Sequence, residues 1–176
     1  MDNIYSLKNT PFEQLSVQTK IKTNPWLIEH ILNVKKPTLI ELFTGGGGMA
    51  LGFEKAGFET KLLVDHDKDC VATLQKNRPK WNVVHDDIHK INFKGMKSDV
   101  VTGGFPCQSF SNTGNKLGFE DTRGTLFYEF ARAVKEIKPK IFVAENVEAI
   151  LRNQDGETIK IILDVLSSFG YDVRYE

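Results

Sequence analysis

From Thr38 onward the chain repeats one unit, a short apolar run, then a turn, then a stretch with helical spacing, and no other feature restricts its fold so tightly. Thr38-Leu-Ile-Glu-Leu-Phe43 reads as a buried strand, Thr44-Gly-Gly-Gly-Gly48 as the turn, and Met49 to Ala56 as a helix closed by Gly57. Lys61 to Val64 form a second strand, and Asp67 can cap a helix from Lys68 to Asn77 that Arg78-Pro79 stops. Trp81 to Val84 read as a third strand, Asp99 to Thr102 as a fourth, Gly124 to Ile137 as a helix and Ile141 to Ala144 as a fifth strand. Glu157 to Ser168 give another helix, and a sixth strand is expected to open at Tyr171. Such alternation predicts an α/β fold, a doubly wound and mostly parallel sheet with helices on both faces. Right-handed crossovers then bring the carboxyl ends of the strands to one rim, where such sheets keep their ligands.

Residues 1–37 stand apart as an N-terminal extension with a helical pattern: Asn24 as N-cap, Pro25 in the first turn, then Trp26, Leu27, Ile28, Ile31 and Leu32. Residues 38–176 hold the α/β domain. The length of 176 residues suits one domain with a real core better than two. Lys and Arg number 23, as do Asp and Glu, so no global field draws the chain to nucleic acid or membrane. That balance argues against a self-sufficient DNA-binding protein. Cys70 and Cys107 are too few for a disulfide framework, and no secretory leader pattern is present, so a reducing cytoplasm is the expected setting. No apolar run approaches the roughly 20 residues that span a bilayer. No metal is expected.

The rim gathers the polar groups. Gly45-x-Gly47-x-x-Ala50 satisfies the dinucleotide fingerprint, with Asp65 at a distance suited to ribose hydroxyls. This turn fits NAD and S-adenosylmethionine equally. Asp87 adds a carboxylate able to accept from an adenine amino group, and is as good a turn former. In Gly103-Gly-Phe-Pro-Cys-Gln-Ser-Phe-Ser111 the ring of Pro106 stiffens the loop that carries Cys107. A lone cysteine is ordinarily a small packed hydrophobe, yet this one could do covalent chemistry.

Four blocks, Glu41-Leu-Phe-Thr-Gly-Gly-Gly-Gly-Met-Ala-Leu-Gly52, Gly103 to Ser111, Gly118-Phe-Glu-Asp-Thr-Arg-Gly-Thr-Leu-Phe127 and Glu145-Asn-Val147, stand in the order found in cytosine-C5 DNA methyltransferases. The chain resembles that family from Leu39 to Val147, and the Pro-Cys block with Glu-Asn-Val is the specific part. The resemblance implies a Rossmann-like methyltransferase fold with S-adenosylmethionine as cofactor. It puts Phe43 against the cofactor, Gly45 and Gly47 under its methionine portion and Asp65 on its ribose. His66 and Ile88 flank the adenine, Asp87 takes its amino group, and Leu126 makes a further contact. His66 departs from the large, often tryptophan side chain common there.

The chemistry explains the residue types. Cytosine C5 is a poor nucleophile until a thiolate adds to C6 and turns the ring into an enamine. Cys107 is the implied nucleophile, and Glu145 the implied proton donor at N3, a role that burial of its carboxyl favours. Asn146 and Pro106 brace the loop. The target base must leave the duplex, and Gln108, Ser111, Lys116 and Arg123 are suited to phosphate contacts around it. The family's Arg-containing strand, target-recognition region and final helix have no counterpart in these 176 residues, so the domain reads as C-terminally incomplete. Little activity is expected of the chain alone, and a second polypeptide carrying the recognition region is a natural partner beside double-stranded DNA. Expected function is thus the catalytic portion of a restriction-modification methyltransferase; a tRNA-directed member and a non-catalytic cofactor-binding module are the alternatives.

Overall fold

A strand buried on both faces must be apolar almost throughout, and the first apolar run meets that demand: Thr38, Leu39, Ile40, Glu41 and Leu42 are all buried. The computed structural model describes residues 35–106 and 126–175, and the expected helix around Asn24 to Leu32 lies outside them. The strands are β1 (Thr38–Leu42), β2 (Glu59–Asp65), β3 (Val83–His85), β4 (Val100–Gly103) and β5 (Ile141–Ala144). They form one sheet in the order β3-β2-β1-β4-β5, with every neighbouring pair parallel. The helices are α1 (Gly48–Lys55), α2 (Lys68–Asn77), α3 (Leu126–Ile137) and α4 (Glu157–Ser167). These elements belong to the unit Lys36–Glu176.

Alternation along the strands sorts the core into two layers. Leu39 and Leu63 meet Ala50 of α1 together with Phe53, Phe58 and Trp81 on one face. Ile40, Leu42, Leu62, Val64 and Val101 turn the other way, against Phe127, Phe130, Val134 and Ile137 of α3 and Ile162, Val165 and Leu166 of α4. The expected doubly wound α/β arrangement is therefore observed. Asp67 caps α2 as its position predicts, accepting from the backbone N–H groups of Asp69 and Cys70.

Two expectations need correction. No strand forms at Tyr171: residues 171–175 join no ladder, and Tyr171 is held by its side chain instead. Its ring packs edge-on against Phe142 at 5.0 Å and its hydroxyl donates to the Pro139 carbonyl at 2.7 Å. A β-favouring composition makes a strand only where a partner edge supplies the hydrogen bonds. The third strand also starts later than Trp81, because the Trp81 amide closes a turn onto the Arg78 carbonyl and its indole N–H donates to Glu54 at 3.0 Å.

At the amino ends of the strands Asp99 ties three of them together. Its carboxylate accepts from the Thr38 amide and hydroxyl, each at 2.9 Å, and pairs with Lys140 at 2.8 Å. These donors, the Lys140 ammonium first, hold its carboxyl far below the usual carboxylate range.

Glu41 is the acid within β1, only 1% exposed. The Ala50 backbone N–H donates to its carboxyl, while Oε2 has no hydrogen-bond partner among the described residues. Burial raises its pKa to about 8 against that amide's lowering influence, so at neutral pH Glu41 carries a proton. An acid whose pKa is raised on folding favours the folded state most below its unfolded pKa, and that contribution fades as pH climbs to the folded value. The native chain should lose stability between about pH 4.5 and 8, by up to about 1.4 kcal/mol per pH unit. Denaturant unfolding across this window should show that slope in the native chain and a flatter one in Glu41→Gln.

Candidate active site

The strand order reverses between β1 and β4, which opens a crevice at the carboxyl rim. A cavity of about 350 Å³ lies there, walled by the end of β2 and by the segments that follow β1, β3 and β4. Phe43 follows β1, Val64, Asp65 and His66 end β2, and Asp86, Asp87, Ile88 and His89 follow β3. Gly104 and Pro106 follow β4, and Leu126 opens α3. Six of the eight residues expected around a cofactor therefore converge: Phe43, Asp65, His66, Asp87, Ile88 and Leu126. Val64, Asp86, His89 and Gly104 were not anticipated. The crowding of charge in Asp86-Asp87-Ile88-His89-Lys90 was the available signal for two of them.

Phe43 owes its position to a left-handed backbone, φ 55°, rare for a residue with a side chain. The exit is pinned by the Thr44 amide and hydroxyl, both donating to the Val64 carbonyl at 3.2 Å. Asp65 pins it again. The Gly45 amide donates to one carboxylate oxygen at 2.6 Å and the Asp67 amide to the other at 2.8 Å. Asp65 is thus a buried clamp between the turn and β2, with only its remaining lone pairs open to a ligand.

The two turn glycines do not line the cavity. Gly45 spends its N–H on Asp65. Gly47 is required by packing: at φ 80° it caps α1, and a Cβ there would collide with Leu74 Cδ2 and lie 3.4 Å from Trp81.

On the neighbouring side, Phe105 buries its ring against Phe127 and Phe130, with centroids 5.3 and 5.7 Å away. Asn146 Nδ2 donates to the Phe105 carbonyl at 2.6 Å, and its Oδ1 accepts from the Val147 amide. The end of β5 is thereby fastened to the segment leading into Pro106. Gly103 and Gly104 answer two separate steric demands: a Cβ on Gly103 would lie 2.8 Å from the Leu42 carbonyl oxygen, and one on Gly104 2.9 Å from Glu145 Oε2. The burial expected of Glu145 is not found. It is exposed because β5 is an outer strand whose alternate residues, Ile141 and Val143, are themselves 59% and 40% exposed. Cys107, Gln108, Ser111, Lys116 and Arg123 lie outside the described residues. Among the described residues no cluster of His, Cys, Asp and Glu suits a metal ion, and no helix is long and apolar enough to cross a membrane.

The family model of the C-5 cytosine-specific DNA methylases matches residues 38–176. The chain belongs to that family. Among the chain's relatives, the Type II methyltransferase M.PspPI of Psychrobacter sp. (strain TA137) is 50% identical over 165 residues, 92% of this chain and 39% of that protein. Type II methyltransferase M.Eco47II of Escherichia coli is 49% identical over 167 residues, 94% of this chain and again 39% of its own length. Among solved structures, a DNA modification methyltransferase encoded within an E. coli prophage superposes with a TM-score of 0.61 at 30% identity, covering 76% of this chain and 38% of that one. This chain therefore spans about two-fifths of the length of the relatives it matches.

The packing role of Gly47 has a measurable consequence. Gly47→Ala should lower unfolding free energy by about 2 to 3 kcal/mol, from left-handed strain plus displacement of Leu74. Urea unfolding of the two proteins side by side checks it, and a change below about 0.5 kcal/mol, ordinary for an unconstrained surface position, would contradict it.

Proposed function

We propose that this chain is the cofactor-binding and catalytic portion of a DNA cytosine-C5 methyltransferase of the restriction-modification kind, working in the cytoplasm. One observation carries the reading: Phe43, Asp65, His66, Asp87, Ile88 and Leu126, drawn from four distant stretches of sequence, line a single cavity at the carboxyl rim. Its residues suit S-adenosylmethionine. Phe43, Ile88 and Leu126 offer apolar surface to a flat purine, and Asp65 and Asp87 offer acceptors to hydroxyl and amino donors. The volume of about 350 Å³ falls in the range usual for small-molecule sites, roughly 300 to 1,000 Å³. When bound there, the cofactor supplies an electrophilic methyl group.

The chain's own residues do the rest. Cys107, as thiolate, adds to C6 of a cytosine turned out of duplex DNA; the new S–C bond pushes electron density to C5, which becomes nucleophilic. Glu145 offers its carboxyl to N3, where negative charge develops and a proton must be shared. Asn146 and Pro106 keep the loop before Cys107 in place, and Asn146 has the bond to the Phe105 carbonyl with which to do so. Elimination of Cys107 after C5 has lost its proton regenerates the thiolate. Gln108, Ser111, Lys116 and Arg123 contact DNA phosphates. Because the relatives are some two and a half times longer, recognition of a particular DNA sequence belongs to the part of the enzyme they carry beyond this match, in the same polypeptide or a second one.

Two measurements test the proposal. Calorimetry should give one S-adenosylmethionine per chain, with Phe43→Ala weakening binding by ~10-fold or more, since it strips the main apolar wall. A duplex carrying 5-fluorocytosine, supplied with the recognition half of M.Eco47II as a separate polypeptide, should trap a covalent adduct on the native chain and none on Cys107→Ser. Absence of cofactor binding, or an adduct that survives Cys107→Ser, would overturn it.

A further inference from the structure

We propose that His89 is a positioning residue that makes the cavity select a purine with an exocyclic amino group. The inference rests on reading the cavity as the S-adenosylmethionine site, and adds what turns an exposed acid into a selective acceptor. Asp87 sits at the cavity wall with its side chain 54% exposed, so by itself its carboxylate could rotate freely. The short 3-10 turn Ile88–Lys90 brings the residue two positions on back over it. The His89 backbone N–H donates to Asp87 Oδ1 at 3.0 Å, and His89 Nδ1 lies 2.6 Å from the same oxygen. These two contacts, the amide first, hold the Asp87 carboxyl below its ordinary value, so it is ionised and has no proton to give. The proton in the short contact is therefore on Nδ1, and the ring is the donor.

Both donors fall on Oδ1. Oδ2 takes no hydrogen bond among the described residues and remains an acceptor only. The adjacent acid is fastened in the same way but is taken up by a cation: Asp86 Oδ1 accepts from the Asp87 amide at 2.8 Å and pairs with Lys90 at 3.2 Å. Phe43, Ile88 and Leu126 nearby bring no side-chain acceptor. A fixed, acceptor-only oxygen is satisfied by an amino group and repelled by a carbonyl oxygen in the same place. His89 thus converts the acid of the Asp-Ile-His sequence from a solvated charge into a reader of the purine edge.

The test compares S-adenosylhomocysteine with S-inosylhomocysteine, which carries oxygen where the first carries the amino group, by calorimetry on the whole 176-residue chain. The native chain should prefer the amino ligand by ~10-fold or more, the strength of a hydrogen bond to a charged group. His89→Ala should cut the preference to ~3-fold or less by weakening the amino ligand more than the oxo ligand, and His89→Asn, which keeps a side-chain N–H, should restore part of it. Matching thermal unfolding curves verify that the variants fold. A native chain without preference, a preference untouched in His89→Ala, or equal weakening of both ligands would overturn the inference. Failure of the native chain to bind S-adenosylhomocysteine would instead overturn the reading of the cavity, and the inference with it.

Discussion

The enclosure of β1 is the constraint from which the rest follows. Its backbone pairs with β2 on one edge and β4 on the other, and helices cover both faces as far as Leu42, where the strand ends. It leaves by an abrupt reversal through Phe43 and Gly45, both left-handed. A non-glycine residue persists in that conformation only where its surroundings over-determine it, and here three donors do so: the Thr44 amide, the Thr44 hydroxyl and the Gly45 amide. The same reversal that lets the strand escape also presents Phe43 to the cavity.

Much of this was legible in the residues. The βα alternation gave the layer architecture because each apolar run had length, period and punctuation in agreement. Asp67 announced its helix, and Ile141 to Ala144 were read to the residue. The misread elements share a cause in tertiary contacts that local pattern does not encode. Tyr171 opens a run suited to a strand, but the ring of Phe142 and the Pro139 carbonyl claim its side chain and no edge claims its backbone. Trp81 has strand propensity, yet its indole N–H bonds to Glu54, a partner 27 residues away in sequence.

The site divides in the same manner. Residues whose chemistry is carried by the side chain, such as Asp65, Asp87 and Ile88, could be placed on the rim from spacing and resemblance. The glycines could not be apportioned, since a glycine records only that a Cβ is unwelcome. Gly45 takes a left-handed φ of 53°, Gly47 avoids Leu74, Gly103 avoids the Leu42 carbonyl and Gly104 makes way for Glu145. His89 escaped notice because its contact with Asp87 depends on a single 3-10 turn. The buried acid of β1 was quoted as part of a motif and given no task, although its burial raises its pKa to about 8.

The bond from Asn146 to the Phe105 carbonyl has a mechanical consequence. It spans two chain segments 41 residues apart, so the stretch that precedes Cys107 and the strand end that bears Glu145 behave as one stiff strut rather than two levers. With Phe105 wedged among the aromatic rings of α3, a shove on either segment is transmitted to the other before it can be absorbed locally.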